Sequence, residues 1–297
     1  MGKAPAATAV DGQLCVVTGG GSGIGAALCR KFASLGAAKV VVADANMASA
    51  QQVAESLSGR GSAVQCDVTK EQDVCKLIEA AEALGPIGVF VCNAGIMGQI
   101  GGVEAANDAW QRVMDVNVTH LLYCTRHLVR RWQTQQGTPK QLVITASAAG
   151  LLTSLESLAY AVSKHAAVAF AEWCAITYQE IGVQVTCLCP QAVDTAMIPR
   201  DTSGKPLSSA ANVDGILTSD YVATCVIEAM TAKRFLVLPH PSVLTYYRNK
   251  AENYERWLGG MRKLRARLLQ ARSGAGHTGE VGKQHRSTSQ SPAASKL

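Results

Sequence analysis

Val16-Val17-Thr18-Gly19-Gly20-Gly21-Ser22-Gly23-Ile24-Gly25 is the stretch whose reading decides the fold. An apolar run, Leu14 to Val17, ends in glycines, and a helix-like segment, Ala26 to Leu35, follows at once. The order is strand, tight turn, helix. Gly19, Gly23 and Gly25 carry no side chain, so backbone can approach a pyrophosphate and the N–H groups of the helix start can face it. With Ser22 and Ile24 between them, these glycines would suit a phosphate-binding turn. The spacing is G-x-x-x-G-x-G rather than the more familiar G-x-G-x-x-G, and a glycine-rich turn without a ligand has the same local signature. The residues downstream decide between the two.

Strand-like runs alternate with helical patterns along most of the chain. The strands expected are Gln13–Thr18, Lys39–Ala43, Ser62–Cys66, Ile87–Cys92, Gln141–Ala146, Val183–Cys189 and Phe235–Leu238, the first six each followed by a helix. Continuous apolar strands imply burial on both faces, hence a parallel sheet covered by helices. The fold class is α/β: a Rossmann-type, doubly wound, seven-stranded parallel sheet with ligands beyond the carboxyl ends of its strands. Thr69-x-x-Gln72 reads as a capping box for the helix after the third strand. A long helix is expected over residues 105–135, with Asn117 inside it against its propensity. The division is 1–12 as an N-terminal extension, 13–240 as the dinucleotide-binding and catalytic domain, 241–272 as a basic amphipathic helix, and 273–297 as a disordered tail.

Asp44 closes the second strand. A carboxylate there accepts hydrogen bonds from the adenine-side ribose and repels a 2′-phosphate, which favours NAD over NADP. Asp67 and Val68 end the third strand, where the adenine would rest. The fourth runs into Asn93-Ala94-Gly95, a small turn suited to line the same site. The fifth is followed by Ser147, and Tyr160 and Lys164 lie beyond it at i and i+4, on one helical face. A phenol has an ordinary pKa near 10 and is a poor base at neutral pH, whereas a cation alongside favours the phenolate. A nearby hydroxyl can hold the substrate oxygen.

With these residues in place, the chain resembles the short-chain dehydrogenases/reductases over about Gln13 to Leu238. The matching motifs are the glycine turn from Thr18 to Gly25, Asn93-Ala94-Gly95, Asn117, Ser147 and Tyr160-x-x-x-Lys164. The resemblance implies a homodimer or homotetramer acting on a small-molecule alcohol or ketone with NAD. It implies Tyr160 as general acid/base, Ser147 as the group that orients the substrate oxygen, and Lys164 as the group that lowers the tyrosine pKa and holds the nicotinamide ribose. Asn117 would hold a water in a proton relay. Pro190 would belong to the cofactor site, and backbone N–H and hydroxyl groups at Val193 and Thr195 would grip the carboxamide and phosphate. Two positions depart from the family pattern: Cys92 stands for a frequent Asn, and Gln191 for a frequent Gly.

Composition narrows the rest. Of 297 residues, 48% are hydrophobic, enough for a sizeable core. No signal peptide, membrane span or zinc-type C-x-x-C pair is expected, and no metal. The ten cysteines read as buried apolar groups in a reducing compartment. The net charge of +6 is uneven: residues 1–232 hold 15 Lys/Arg and 19 Asp/Glu, and residues 233–272 hold 10 and 2. That is no nucleic-acid-binding face. Leu151, Leu152, Leu155, Met197, Ile198 and Leu207 bias the substrate loops toward a lipophilic, lipid-derived or hydroxyacyl alcohol. The chain ends Ser295-Lys296-Leu297, a tripeptide read by the peroxisomal import receptor. A peroxisome or related microbody is therefore the expected location, with the cytoplasm as the alternative. Two other functions fit the same fold: a catalytically silent nucleotide-binding or scaffold protein, and an NADP-dependent carbonyl reductase.

Overall fold

The computed structural model describes residues 8–275 other than positions 136, 138, 199 and 208. The ending Ser295-Lys296-Leu297, and the tail from residue 276 on, lie outside the described residues. Seven strands form one parallel sheet: β1 (Leu14–Thr18), β2 (Lys39–Asp44), β3 (Gly61–Gln65), β4 (Ile87–Cys92), β5 (Lys140–Thr145), β6 (Val183–Leu188) and β7 (Leu236–Val237). Their order across the sheet is β3-β2-β1-β4-β5-β6-β7. The chain winds outward from β1 to β3, then returns to pair β4 on the other side of β1. That reversal opens a crevice beyond the carboxyl ends of β1 and β4.

The helices are α1 (Gly23–Ser34), α2 (Met47–Glu55), α3 (Glu71–Glu82), α4 (Asn107–Met114), α5 (His120–Thr134), α6 (Ala149–Leu152), α7 (Leu158–Thr177), α8 (Ser219–Thr231), α9 (Ser242–Glu252) and α10 (Tyr254–Ala275). Successive strand residues face opposite sides. Cys15, Val17, Val89 and Val91 join Leu28, Phe32 and Met230 in one core. Val16, Phe90 and Leu142 join Leu77, Leu128 and Trp132 in the other. Trp132 also donates its indole N–H to the Ile87 carbonyl at 2.9 Å. All ten cysteines are free thiols, and eight are buried. Among the described residues no helix is long and apolar enough to cross a membrane.

Four expectations need correction. β3 is an edge strand, half-buried and ending in exposed Gln65, because only β2 flanks it. The helix expected over 105–135 runs continuously from Asn107 to Thr134 but carries a π turn at Asp115–Thr119. The Thr69-x-x-Gln72 capping box does not form. Lys70 is the N-cap of α3 and makes no side-chain cap bond, while the Thr69 hydroxyl donates to Asp67 Oδ1 at 2.7 Å. Asp67 Oδ1 also accepts the Thr69 N–H at 3.1 Å, the group that the Gln72 side chain would take in a capping box. The basic C-terminal helix is two helices, separated at extended Asn253.

The crevice owes its shape to a knot of hydrogen bonds between strand ends. Thr18 Oγ1 donates to the Val91 carbonyl (3.2 Å) and accepts from the N–H groups of Asn93 (3.0 Å) and Ala94 (3.2 Å). Asn93 Nδ2 donates to the carbonyls of Thr18 (3.1 Å) and Gly19 (3.2 Å), and its Oδ1 accepts from Thr145 Oγ1 (3.2 Å). Asn93 thus ties the ends of β1, β4 and β5 together. Asn93→Ala removes these three side-chain bonds, and a loss of roughly 2–3 kcal/mol of stability is expected from urea unfolding. A change below about 0.5 kcal/mol, within surface-substitution range, would show that the knot does not hold the crevice.

Candidate active site

One cavity of about 1700 Å³ opens over the carboxyl ends of the strands. Of the catalytic and cofactor-binding residues expected from the sequence, all line it except Gly25 and Asn117, which stand behind its wall. Gly25 is buried because its backbone packs on the Gly19 carbonyl, where a Cβ would collide. Asn117 is 2% exposed.

The dinucleotide end is built from the glycine turn. Gly19 and Gly23 hold φ of +62° and +50°, conformations that side chains disfavour. Ser22 is the N-cap of α1 and makes no side-chain cap bond, so the first N–H groups of α1 are free for an anion where Ser22, Gly23 and Ile24 line the cavity. Thr195 lies against Gly23, where a Cβ would come within 2.9 Å of Thr195 Cγ2. The Asp44 carboxylate accepts from Gly21 N–H and Asn46 N–H, both at 3.0 Å, and lines the cavity. Asp67 accepts from the Thr69 hydroxyl and N–H and lies 3.4 Å from Lys70; the Thr69 bond foremost holds its carboxyl below the usual range. This cradle fits a dinucleotide: free helix N–H groups, backbone without side chains, and the Asp44 carboxylate at the end of β2.

At the other end the hydroxyls and the cation converge. Ser157 caps α7 by accepting from the Tyr160 N–H, which sets Tyr160 in the first turn. One turn on, Lys164 is 3% exposed and donates to the Thr145 carbonyl at 3.0 Å. Its ammonium lies 5.6 Å from the Tyr160 ring centroid. Gly150 lets the loop after β5 press against α7, since a Cβ there would strike the Lys164 carbonyl. Ser147 Oγ donates to the Pro190 carbonyl at 3.3 Å and accepts from Ala149 N–H at 3.1 Å, and its hydroxyl acts on the Tyr160 phenol.

Burial pushes the Lys164 ammonium down to about 8. It pushes the Tyr160 phenol up, opposed by the Ser147 hydroxyl. Desolvation thus sets the direction for the phenol in this structure, where the Lys164 ammonium beside it donates to the Thr145 carbonyl. Asn117 sits in the π turn, accepts from Ile96 N–H (2.9 Å), and donates to the Ile96 carbonyl (2.8 Å) and Ser163 Oγ (3.0 Å). A Cβ at Gly95 would lie 3.4 Å from both Asn117 Oδ1 and Lys164 Nζ, so glycine keeps that gap open.

Other residues of the site escaped the sequence. Thr18 lay inside the decisive stretch, and its signal was a polar residue closing an apolar strand. Thr145 and Ser163 had no signal of their own. Gln191 takes its place without strain, because positive φ outside glycine occurs, among the described residues, only at Ser58, Thr153 and Lys233. Its N–H meets His240 Nδ1 at 3.3 Å. Leu152, Met197, Ile198 and Leu207 line the substrate side, whereas Leu151 is buried in the core and Leu155 is not part of the wall.

Comparison with known proteins agrees with this geometry. The model of the short chain dehydrogenase family matches residues 13–205. A 1-deoxy-11-beta-hydroxypentalenate dehydrogenase of Streptomyces exfoliatus is 35% identical over 229 residues, covering 75% of this chain and 81% of the relative. A 3beta-hydroxysteroid dehydrogenase of Eggerthella lenta is 32% identical, covering 62% of this chain and 72% of its own. The crystal structure of a short chain dehydrogenase/reductase from Burkholderia phymatum in complex with NAD superposes with a TM-score of 0.73 at 30% identity, over 83% of this chain and 95% of that one. The chain belongs to the short-chain dehydrogenase/reductase family.

Proposed function

We propose that the protein is an NAD-dependent oxidoreductase that interconverts a secondary alcohol and a ketone. The observation that carries this reading is the convergence of Ser147, Tyr160 and Lys164 on the same cavity as the dinucleotide cradle. A bound nicotinamide supplies the acceptor for the carbinol hydride. The chain's own groups handle the proton and the placement. Ser147 orients the substrate oxygen, and Tyr160 Oη, as the phenolate, takes the hydroxyl proton in oxidation and returns it in reduction. Lys164 favours the phenolate that must be present before the proton arrives, and passes the proton onward from the neutral phenol. Asn117 holds Ile96 and the π turn in place behind Lys164, and so serves as a positioning residue.

Asp44 supports NAD. Its carboxylate lines the cavity at the end of β2 beside the glycine turn, and the neighbouring wall residues Ala45, Cys66, Val68 and Thr69 carry no cation for a 2′-phosphate. The apolar substrate side, together with relatives named for a hydroxypentalenate and a hydroxysteroid, supports a lipid-derived alcohol. The ending Ser295-Lys296-Leu297 supports import into a peroxisome-type compartment. A homo-oligomer fits the outer face of α5 and α7, where Leu122, Val162, Trp173 and Ile176 are exposed and a second copy would bury them.

NADH formation across a panel of secondary alcohols, hydroxyacyl thioesters and sterols tests the activity. Turnover of one class is expected, with kcat in Tyr160→Phe lower by about 10²–10⁴-fold, the usual share of a general base. NAD binding without turnover of any class would favour the silent scaffold. Asp44→Ala tests the cofactor: kcat/KM with NAD should fall about 10- to 100-fold, the equivalent of losing hydrogen bonds to a charged group, while use of NADP rises. An unchanged NAD preference would overturn the role given to Asp44.

A further inference from the structure

We propose that Trp257, Met261 and Leu264 select the substrate, forming an apolar wall on α10 that seats the extended apolar body of the alcohol. The inference rests on the dehydrogenase reading and deepens it. α10 lies beyond the residues that match the family model. The three side chains follow each other at i, i+4 and i+7, so they share one helical face. All three line the cavity that holds Tyr160 and Ser147. Each is only half-buried, so apolar surface remains for an occupant. Arg262, Lys263, Arg265 and Arg267 are exposed on the rest of the helix. Ile100, Leu152, Met197, Ile198 and Leu207 continue the apolar lining toward the catalytic end.

The wall is tied to the catalytic loop by a buried cation. Lys250 on α9 is 8% exposed and donates to the Leu151 carbonyl at 2.7 Å. Leu151 lies in α6, shortly after Ser147. The same ammonium sits 4.8 Å from the Trp257 ring centroid and 5.6 Å from that of Tyr254. Cation–π attraction of this kind strengthens when the cation is desolvated. Lys250 is thus a positioning residue that joins α6, α9 and the start of α10.

The dimensions fit a long substrate. Pockets for drug-sized ligands run to roughly 1000 Å³, so a cavity of about 1700 Å³ leaves room beside a dinucleotide. From Trp257 to Leu264 the wall runs about 10 Å along the helix axis. A hydrocarbon chain or a fused-ring body of that reach meets it.

The test is kcat/KM for a series of 2-alkanols from butanol to dodecanol, with a hydroxysteroid alongside. It is run on the full chain and on Trp257→Ala/Leu264→Ala, with folding checked by circular dichroism. In the native protein kcat/KM should rise about fourfold per methylene, equivalent to ~0.8 kcal/mol, until the wall ends. In the double variant the preference for the long alcohol or the steroid over butanol should fall at least about tenfold, and Trp257→Phe should retain it, as a wall and not a structural prop requires. An alkanol gain marks a chain as the body, and a steroid gain marks fused rings. The same preference in the native protein and the double variant would overturn the proposal. Calorimetric binding of the matching 2-alkanones separates the two readings. Length-dependent binding that flattens in the double variant, without turnover of any alcohol, would sink the dehydrogenase reading and keep the wall. Length-independent binding to the native protein would sink the wall.

Discussion

A lysine ammonium held inside the protein by one carbonyl is the interaction around which the site is arranged. Lys164 is 3% exposed, and its hydrogen bond runs to the Thr145 carbonyl at the end of β5. An isolated buried cation is costly, so the group tends toward neutrality. Here that tendency appears as a pKa lowered to about 8. The surrounding chain is shaped to permit it. Gly150 lets α7 approach the loop after β5, and Gly95 leaves the gap between Lys164 and Asn117 open. Tyr160, a turn earlier on α7, is then placed beside the ammonium and Ser147.

That placement depends on the sheet. Parallel strands end together on one side, and the reversal between β1 and β4 leaves space there. Thr18 and Asn93 pin the three strand ends that border it, using bonds that span more than seventy residues of sequence. The conformational demands of the glycine turn are met locally, but its position over the crevice is met by this knot. Cofactor cradle and proton-handling groups are therefore fixed to the same rigid edge, while the substrate side is built from loops and from α9 and α10.

What could be read from the residues follows the range of the interactions. The seven strands, the glycine turn, Asp44 and the Tyr160–Lys164 pair are short-range patterns, and strand limits came within about two residues. The π turn could not be read, because Asn117 is held by Ile96 and Ser163, partners far along the chain. The contact of Lys250 with the Leu151 carbonyl spans 99 residues and left no trace in composition or spacing. Thr69 misled because its local carboxylate, Asp67, takes both its hydroxyl and its N–H. The burial of Tyr160 could not be read for a related reason: proximity to a cation is visible in an i, i+4 spacing, whereas burial is a property of the whole fold.

Lys164 and Tyr160 share one buried corner of the cavity, the ammonium 5.6 Å from the phenol ring centroid. With the phenol raised and the ammonium lowered, the first proton to leave is that of Lys164, near 8. The state that has lost it can accept the alcohol proton; the fully protonated state cannot. The pH dependence of kcat/KM for alcohol oxidation, compared between the native protein and Lys164→Met, measures this directly. In the native protein log kcat/KM should climb with pH up to an inflection near 8 and level off above it. In Lys164→Met the inflection should move above the ordinary phenol value of about 10, because buried Tyr160 then titrates alone. A native profile that is flat from about pH 6 to pH 9, or an inflection that Lys164→Met leaves in place, would contradict the role given to Lys164.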